Sequence, residues 1–169
     1  LGRRRRRIDL LWIHAGSLSS ERRTRHSSCI AYSSSMTGSN LITTRFTAAS
    51  TTADILTDVD LSGMRTIVTG ASSGLGAETA RALAAAGAEV ILAVRNLAAG
   101  AAVAEEIAHA GAPIWPLVSV LDLSDQASVA RFVDRWKGPL HLLVNNAGLV
   151  TGGLDRTTEG WELQFATNH

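Results

Sequence analysis

The sequence predicts an α/β fold in which a doubly wound parallel sheet is covered by helices on both faces. From residue 64 onward, short apolar runs alternate with longer segments of helical character. The short runs are apolar without alternation, as expected of strands that are buried on both faces. A glycine-rich turn joins the first run to the first helix, and right-handed crossovers then give the strand order 3-2-1-4.

The alternating units are bounded by residues that begin or end helices. We expect strands at 65–69, 89–94, 113–120 and 140–145, and helices at 75–86, 97–110, 124–136 and from 158 to the C-terminus. Gly87 and Gly111 follow two of these helices, and Ser124 and Thr158 are the expected N-caps of the other two. The third helix has an apolar stripe formed by Val129, Phe132, Val133 and Trp136. A short helix is also expected before the first strand, around Ala53 and Leu56.

The turn after the first strand, residues 69–76, reads Thr-Gly-Ala-Ser-Ser-Gly-Leu-Gly. Glycines let the backbone turn tightly and approach a ligand closely, and the free N–H groups at the start of the next helix attract an anion. The turn therefore predicts a phosphate-binding site. Its expected members are Gly70, Ser72, Ser73, Gly74, Leu75 and Gly76.

A second motif, Asn-Asn-Ala-Gly at residues 145–148, closes the fourth apolar run. With the Gly-x-x-x-Gly-x-Gly spacing of residues 70–76, it resembles the non-extended short-chain dehydrogenase/reductase family over residues 60–169. The string Ala-Val-Arg-Asn-Leu at residues 93–97 is similar to the retinol dehydrogenase-like and protochlorophyllide reductase-like branches. The resemblance implies a Rossmann-type fold and an oxidoreductase. Such an enzyme transfers hydride between a nicotinamide cofactor and a small or lipophilic alcohol or carbonyl substrate.

The end of the second strand indicates which dinucleotide is bound. A carboxylate there would accept a hydrogen bond from the ribose 2′-hydroxyl of NAD, but residues 93–96 contain none. Arg95 offers a planar fork of donors suited to a 2′-phosphate, and Asn96 follows it. We therefore predict NADP(H) as the cofactor, with both residues in its site. A solvated loop arginine is the alternative interpretation of Arg95.

Other cofactor contacts are implied by the resemblance alone. In the family an aspartate after the third strand binds the adenine amino group and the next backbone assists, which here are Asp122 and Leu123. An aspartate near a helix start also favours the helix dipole whatever is bound. The resemblance gives Asn145 a part in tying the central strands together. It assigns the adenosine side of the site to Asn146, Ala147 and Gly148.

The catalytic residues of the family are a serine, an asparagine, and a tyrosine and lysine in Tyr-x-x-x-Lys. The single tyrosine, Tyr32, and the single lysine, Lys137, do not fit this pattern, whereas Asn168 matches the asparagine. We therefore expect residues 1–169 to be the N-terminal part of the fold, truncated after the fourth strand and the following helix, and to be inactive alone. The fourth strand would leave an unpaired edge, which predicts poor solubility.

The first 35 residues differ in composition from the rest of the chain. They hold eight arginines against two acidic residues, whereas residues 36–169 hold eight basic and thirteen acidic residues. Three interpretations remain open for residues 1–35: an organelle transit peptide, a basic arm that binds nucleic acid or anionic lipid, or a translated upstream region. We expect this leader to be disordered, residues 36–60 to form an N-terminal arm, and residues 61–169 to form the dinucleotide-binding part.

Composition excludes several classes of function. The acidic folded part argues against a nucleic-acid-binding domain, and no apolar run is long enough to span a membrane. The single cysteine, Cys29, excludes a disulfide framework and a cysteine zinc site, and it favours a reducing, cytoplasmic location unless the leader is a genuine transit peptide. The alternative to an enzyme is a non-catalytic dinucleotide-binding module. A nucleotide-sugar epimerase of the extended branch is disfavoured by the glycine spacing, and a homo-oligomeric parent protein stays open.

Overall fold

A computed structural model describes residues 44–169, and these form four strands and five helices. In chain order the elements are α1 (Thr52–Leu56), β1 (Arg65–Thr69), α2 (Gly74–Ala85), β2 (Glu89–Val94), α3 (Leu97–His109), β3 (Leu117–Val120), α4 (Gln126–Arg135), β4 (Leu142–Val144) and α5 (Leu163–Asn168). The expectations for residues 1–35, and for the arm as far as residue 43, lie outside the described residues.

The four strands form one parallel sheet in the order β3-β2-β1-β4, which confirms the predicted fold class and strand order. The strand β1 lies at the centre, with Val68 paired to Leu92 of β2 and to Val144 of β4. All four strands therefore present their carboxyl ends at one edge of the sheet. That edge is where ligands bind in open α/β folds, because the connections diverge there on either side of the first strand.

The core has two layers because successive strand residues point to opposite faces of the sheet. Val68 and Leu92 are fully buried against α2 and α3, together with Ile107 of α3. Ile67 and Ile91 face the other way and pack against α4. Burial on both faces explains why β1 and β2 are apolar without alternation and were predicted with their observed bounds.

The predicted ends of α2 and α3 are confirmed within one residue. Gly87 has φ +94° and Gly111 has φ +92°, so each takes the left-handed conformation that ends a helix. Two expectations about β-structure are wrong in extent. The third strand begins at Leu117 rather than residue 113, since prolines at 113 and 116 cannot donate to the ladder, and the fourth strand spans only Leu142–Val144.

Two predicted helix N-caps are also wrong. Asp125, not Ser124, caps α4, because the Ser124 hydroxyl is hydrogen-bonded to Asp122 Oδ1 at 2.6 Å. The last helix does not begin at Thr158, which lies in a turn. It begins at Leu163, where the Glu162 carboxylate accepts hydrogen bonds from the backbone N–H groups of residues 164 and 165.

The face of the sheet next to α4 is partly open. Val133 was expected in the apolar stripe of this helix but is 61% exposed, and Leu140 is 40% exposed. They contribute to an apolar groove of about 490 Å³ that also includes Phe132 and Leu143. Within residues 44–169, β4 pairs with β1 on one side and with no strand on the other, as expected. No helix in this part of the chain is long and apolar enough to cross a membrane.

Candidate functional site

The glycine-rich turn carries the chain from β1 into α2 at the carboxyl edge of the sheet. Gly70 turns the chain with φ +65°, and Ser73 is the N-cap of α2. The Ser73 side chain makes no capping hydrogen bond, whereas side chains cap each of the other four helices within residues 44–169. The first N–H groups of α2 are therefore left without the partner that a capping side chain supplies. Such a helix start is suited to binding an anion.

The two sequence motifs pack directly against each other. A Cβ on Gly70 would lie 2.9 Å from the Cα of Ala147, and a Cβ on Gly76 would overlap the side-chain amide of Asn146. Neither position can hold a side chain without a shift of the opposing segment. The glycines at 70 and 76 thus serve the approach of residues 146–147 to the turn, in addition to leaving space for a ligand.

The hydroxyl of Thr69 joins the same two motifs. Its Oγ1 accepts hydrogen bonds from the backbone N–H groups of Asn146 and Ala147, at 3.1 and 3.0 Å, and donates to Val144 O at 3.3 Å. The Asn146 side chain in turn donates from Nδ2 to Thr69 O at 2.9 Å. Within the described residues these hydrogen bonds are made by Asn146 and Ala147. The part that the resemblance gives to Asn145 in tying the central strands together stays a prediction.

A cleft of about 410 Å³ opens between the two motifs and the ends of β2 and β3. This volume lies within the range of small-molecule binding sites. The cleft brings together most of the predicted site residues: Gly70, Ser72, Ser73, Leu75, Gly76, Arg95, Asn96, Leu123, Asn146, Ala147 and Gly148. The predicted residues that do not line it are Gly74, Asp122 and Asn168.

The end of β2 contributes the charge of the cleft. Arg95 is exposed, and of the described residues that line the cleft it alone carries a charged side chain. Asn96 lies beside it and is committed in part to the fold, since its Oδ1 accepts a hydrogen bond from Ala99 N at 3.1 Å and caps α3. A positive side chain next to a helix start makes this end of the cleft suitable for a second anionic group.

The predicted adenine ligand Asp122 is partly engaged by its own turn. Its Oδ1 accepts hydrogen bonds from Ser124 N at 2.9 Å and from Ser124 Oγ, and its backbone N–H donates to Ser128 Oγ at 3.0 Å. These bonds fix the turn between β3 and α4 and place Leu121 and Leu123 in the cleft wall. Its part in adenine binding stays a prediction.

Helix α4 begins at this turn with an ionised cap. Hydrogen bonding to the Ser128 backbone lowers the pKa of Asp125, while desolvation opposes the shift. The Ala127 backbone N–H and the Arg131 guanidinium, which lies 3.1 Å from Asp125 Oδ2, also lower that pKa. The anionic form of Asp125 is therefore part of what holds the turn beside the cleft.

Helix α5 contributes to the cleft beside the second motif. The side chain of Asn168 pairs with the backbone of Leu149, accepting from its N–H at 2.9 Å and donating to its carbonyl at 3.0 Å. A Cβ on Gly148 would lie 3.5 Å from Asn168 Oδ1, so the predicted catalytic asparagine packs against the second motif. The neighbouring Thr167 lines the cleft, and its Oγ1 is buried with no hydrogen-bond partner.

Five residues of the cleft wall were not predicted: Thr69, Ala93, Val94, Leu121 and Thr167. Val94 is the last residue of β2 and Ala93 precedes it, while Leu121 directly follows β3, whose C-terminal end was predicted correctly. The position of a strand end was therefore a usable signal for these three residues. Thr69 opens the predicted turn but was assigned no contact of its own, and Thr167 gave no local signal. Thr69 acts on residues more than 70 positions away, and Thr167 reaches the cleft only through the docking of α5.

Comparison with known proteins agrees with this geometry. The model of the family described as short chain dehydrogenase matches residues 65–169. A Streptomyces antibioticus protein named "Probable oxidoreductase" is 50% identical over 114 residues, which are 66% of this chain and 38% of that protein. Retinol dehydrogenase 12 of Mus musculus is 40% identical over 116 residues, which are 67% of this chain and 37% of that protein.

Solved structures of other proteins are also similar to this chain. The crystal structure of an uncharacterised protein from Mycobacterium paratuberculosis is similar with a TM-score of 0.60 and 41% identity, over 68% of this chain and 41% of that chain. A short-chain type dehydrogenase/reductase from Mycobacterium marinum is similar with a TM-score of 0.50 and 36% identity, over 60% of this chain and 40% of that one. The chain therefore spans well under half the length of these relatives.

Proposed function

This chain belongs to the short-chain dehydrogenase family, and we propose on that premise that it forms the NADP(H)-binding part of an oxidoreductase. The parent enzyme would act on a small or lipophilic alcohol or carbonyl substrate. Residues 61–169 would form this part of the domain, as the sequence indicated. The observation that carries the proposal is the uncapped start of α2, which faces a cleft whose other end holds Arg95.

The turn and the start of α2 would hold the pyrophosphate. No side chain caps the backbone N–H groups of residues 74–76, and Ser72 and Ser73 line the same cleft. A dinucleotide brings negative charge to this position, where the helix dipole favours it. Gly70 and Gly76 pack closely on residues 146–147. Since no side chain projects from the turn at these two positions, a ligand would be able to approach its backbone.

Arg95 would select NADP(H) over NAD(H). Its guanidinium can bind a 2′-phosphate with two hydrogen bonds, and no carboxylate lines the described cleft to accept a hydrogen bond from a 2′-hydroxyl. The relative named retinol dehydrogenase 12 supports a lipophilic alcohol or aldehyde as the substrate class. When bound, the nicotinamide would supply the hydride acceptor or donor of the reaction.

Asn168 is the proposed member of the catalytic set. Its side chain forms two hydrogen bonds with Leu149, which fix it beside the second motif and leave one N–H and one acceptor position of the amide for a water molecule. In that arrangement the asparagine would hold water in a proton path. It would not itself transfer a proton.

The proposal is tested by titrating the purified protein with NADPH and with NADH at one ionic strength. We expect NADPH to bind about tenfold to a hundredfold more tightly, as one charge-assisted recognition site allows. Equal affinities would contradict the selection of NADP(H), and binding of neither would contradict the function as a whole. Hydride transfer by the full-length parent separates an enzyme from the alternative, a dinucleotide-binding module without turnover.

A further inference from the structure

We infer that Thr167 is a further cofactor-contacting residue, whose hydroxyl hydrogen-bonds the adenosine half of the bound dinucleotide. This inference rests on the proposed function. The hydroxyl carries one donor and two acceptor positions, and its Oγ1 is buried without a partner in the ligand-free protein. An unpaired buried hydroxyl is unfavourable, so any arrangement that gives it a partner is preferred.

The position of Thr167 indicates which part of the cofactor would supply the missing hydrogen-bond partner. Thr167 lies in α5, which is docked by the two hydrogen bonds between Asn168 and Leu149, and it lines the same cleft as residues 146–148. The resemblance to the family implies that this wall holds the adenosine side of the cofactor. The apolar residues Leu121 and Leu123 of the cleft suit an adenine ring, and a ribose or adenine edge offers both donors and acceptors to a hydroxyl.

The contact requires a rotation of the threonine side chain. In helices threonine divides between two χ1 rotamers, because its hydroxyl can bond the carbonyl one turn earlier. Thr167 makes no such bond here, so no hydrogen bond in the described structure holds its hydroxyl in the buried position. We expect a rotation about χ1 on ligand binding to bring Oγ1 to the cleft that Thr167 lines, where a ligand atom would replace the missing partner.

The chain provides a matched control. Thr66 on β1 also has a buried hydroxyl without a partner, but it does not line the cleft. Replacing either threonine by valine keeps the shape of the side chain and removes an unpaired polar atom. Both changes should therefore raise the melting temperature of the ligand-free protein by a few degrees. Only the change at 167 should alter the affinity for the cofactor.

The experiment compares wild type, Thr66→Val, Thr167→Val and Thr167→Ser in their binding of NADPH and of 2′,5′-ADP. We expect Thr167→Val to weaken both ligands by a similar factor of about threefold to tenfold, and the other two variants to bind as wild type does. Unchanged affinity in Thr167→Val, or a loss confined to NADPH, would overturn the inference. Wild type and Thr66→Val report on the proposed function independently, since failure of both to bind would refute that function and not the role of one side chain.

Discussion

The side-chain amide of Asn146 occupies the space into which a side chain on Gly76 would project. Asn146 Nδ2 donates to Thr69 O at 2.9 Å and lies 3.4 Å from Gly70 O, so these contacts fix the amide against the glycine-rich turn. The same amide would overlap a Cβ at position 76, and so would the carbonyl of Gly70. The two motifs are therefore one packed unit, and the third glycine of the turn is required by the second motif.

We expect Gly76→Ala to lower the free energy of unfolding. Alanine would ordinarily favour a helix, but here the added methyl group meets backbone and a hydrogen-bonded amide that cannot move freely. Overpacking of this kind costs about 1–3 kcal/mol. Chemical denaturation of Gly76→Ala and of the control Gly153→Ala measures it, since nothing lies within 4 Å of a Cβ at 153. Equal stabilities of the two variants would refute the packing argument.

Thr69→Val should destabilise the protein more than Thr69→Ser. Valine removes the acceptor of the Ala147 N–H, while the Asn146 N–H keeps its second acceptor, Val144 O, at 3.0 Å. One backbone donor is left without a partner, which costs about 1–3 kcal/mol, whereas serine retains the hydroxyl. Denaturant unfolding of both variants checks the difference, and dinucleotide affinity should fall in the same order. A serine variant as unstable as the valine variant would contradict the prediction, because loss of the methyl group would then cost as much as loss of the hydroxyl group.

The strands that were predicted with their observed bounds share one property. Residues 65–69 and 89–94 are central, buried on both faces, and bounded by turn residues, so local pattern and tertiary burial agree. The segment before Leu117 shows the opposite case. It is apolar and was expected in the third strand, but the proline at 116 prevents pairing and Trp115 is 58% exposed.

The limits of prediction at the site have a similar cause. Glycine turns, Arg95 and the second motif could be identified because their chemistry is local to the sequence. The choice between Ser124 and Asp125 as the cap of α4 depended on a hydrogen bond from Ser124 to Asp122 that composition does not reveal. Thr69 and Thr167 were missed because a hydroxyl is defined by its partners, and those partners come from distant segments or, for Thr167, from a ligand.

The cap of α4 predicts a dependence of stability on pH. The pKa of Asp125 is lowered in the folded protein, mainly by hydrogen bonding to the Ser128 backbone, so the anion stabilises the fold above the unfolded pKa of about 3.9. That contribution is lost as the pH falls through the lower, folded value. We therefore expect wild type to melt at a higher temperature than Asp125→Asn at pH 7, and the difference to shrink as the pH falls below the unfolded pKa of about 3.9.

Thermal melts of wild type, Asp125→Asn and Asp125→Ser across this interval test the cap. Serine and asparagine both cap helices but do not titrate, so both variants should show the same convergence with wild type. A difference from wild type that stays constant between pH 7 and pH 3 would show that the ionisation of Asp125 is not involved.

Arg95→Ala should abolish the preference for NADPH over NADH. Arg95 is exposed, so its loss should leave the fold intact, and the NADPH affinity should fall about tenfold to a hundredfold while NADH affinity is unchanged. Arg135→Ala is the matched control, because Arg135 is an exposed cation of α4 that does not line the cleft. If the effect were a general electrostatic one, both variants would lose NADPH affinity by a similar factor, and that loss would shrink with added salt. A specific 2′-phosphate contact predicts that only the change at 95 alters the ratio of the two affinities.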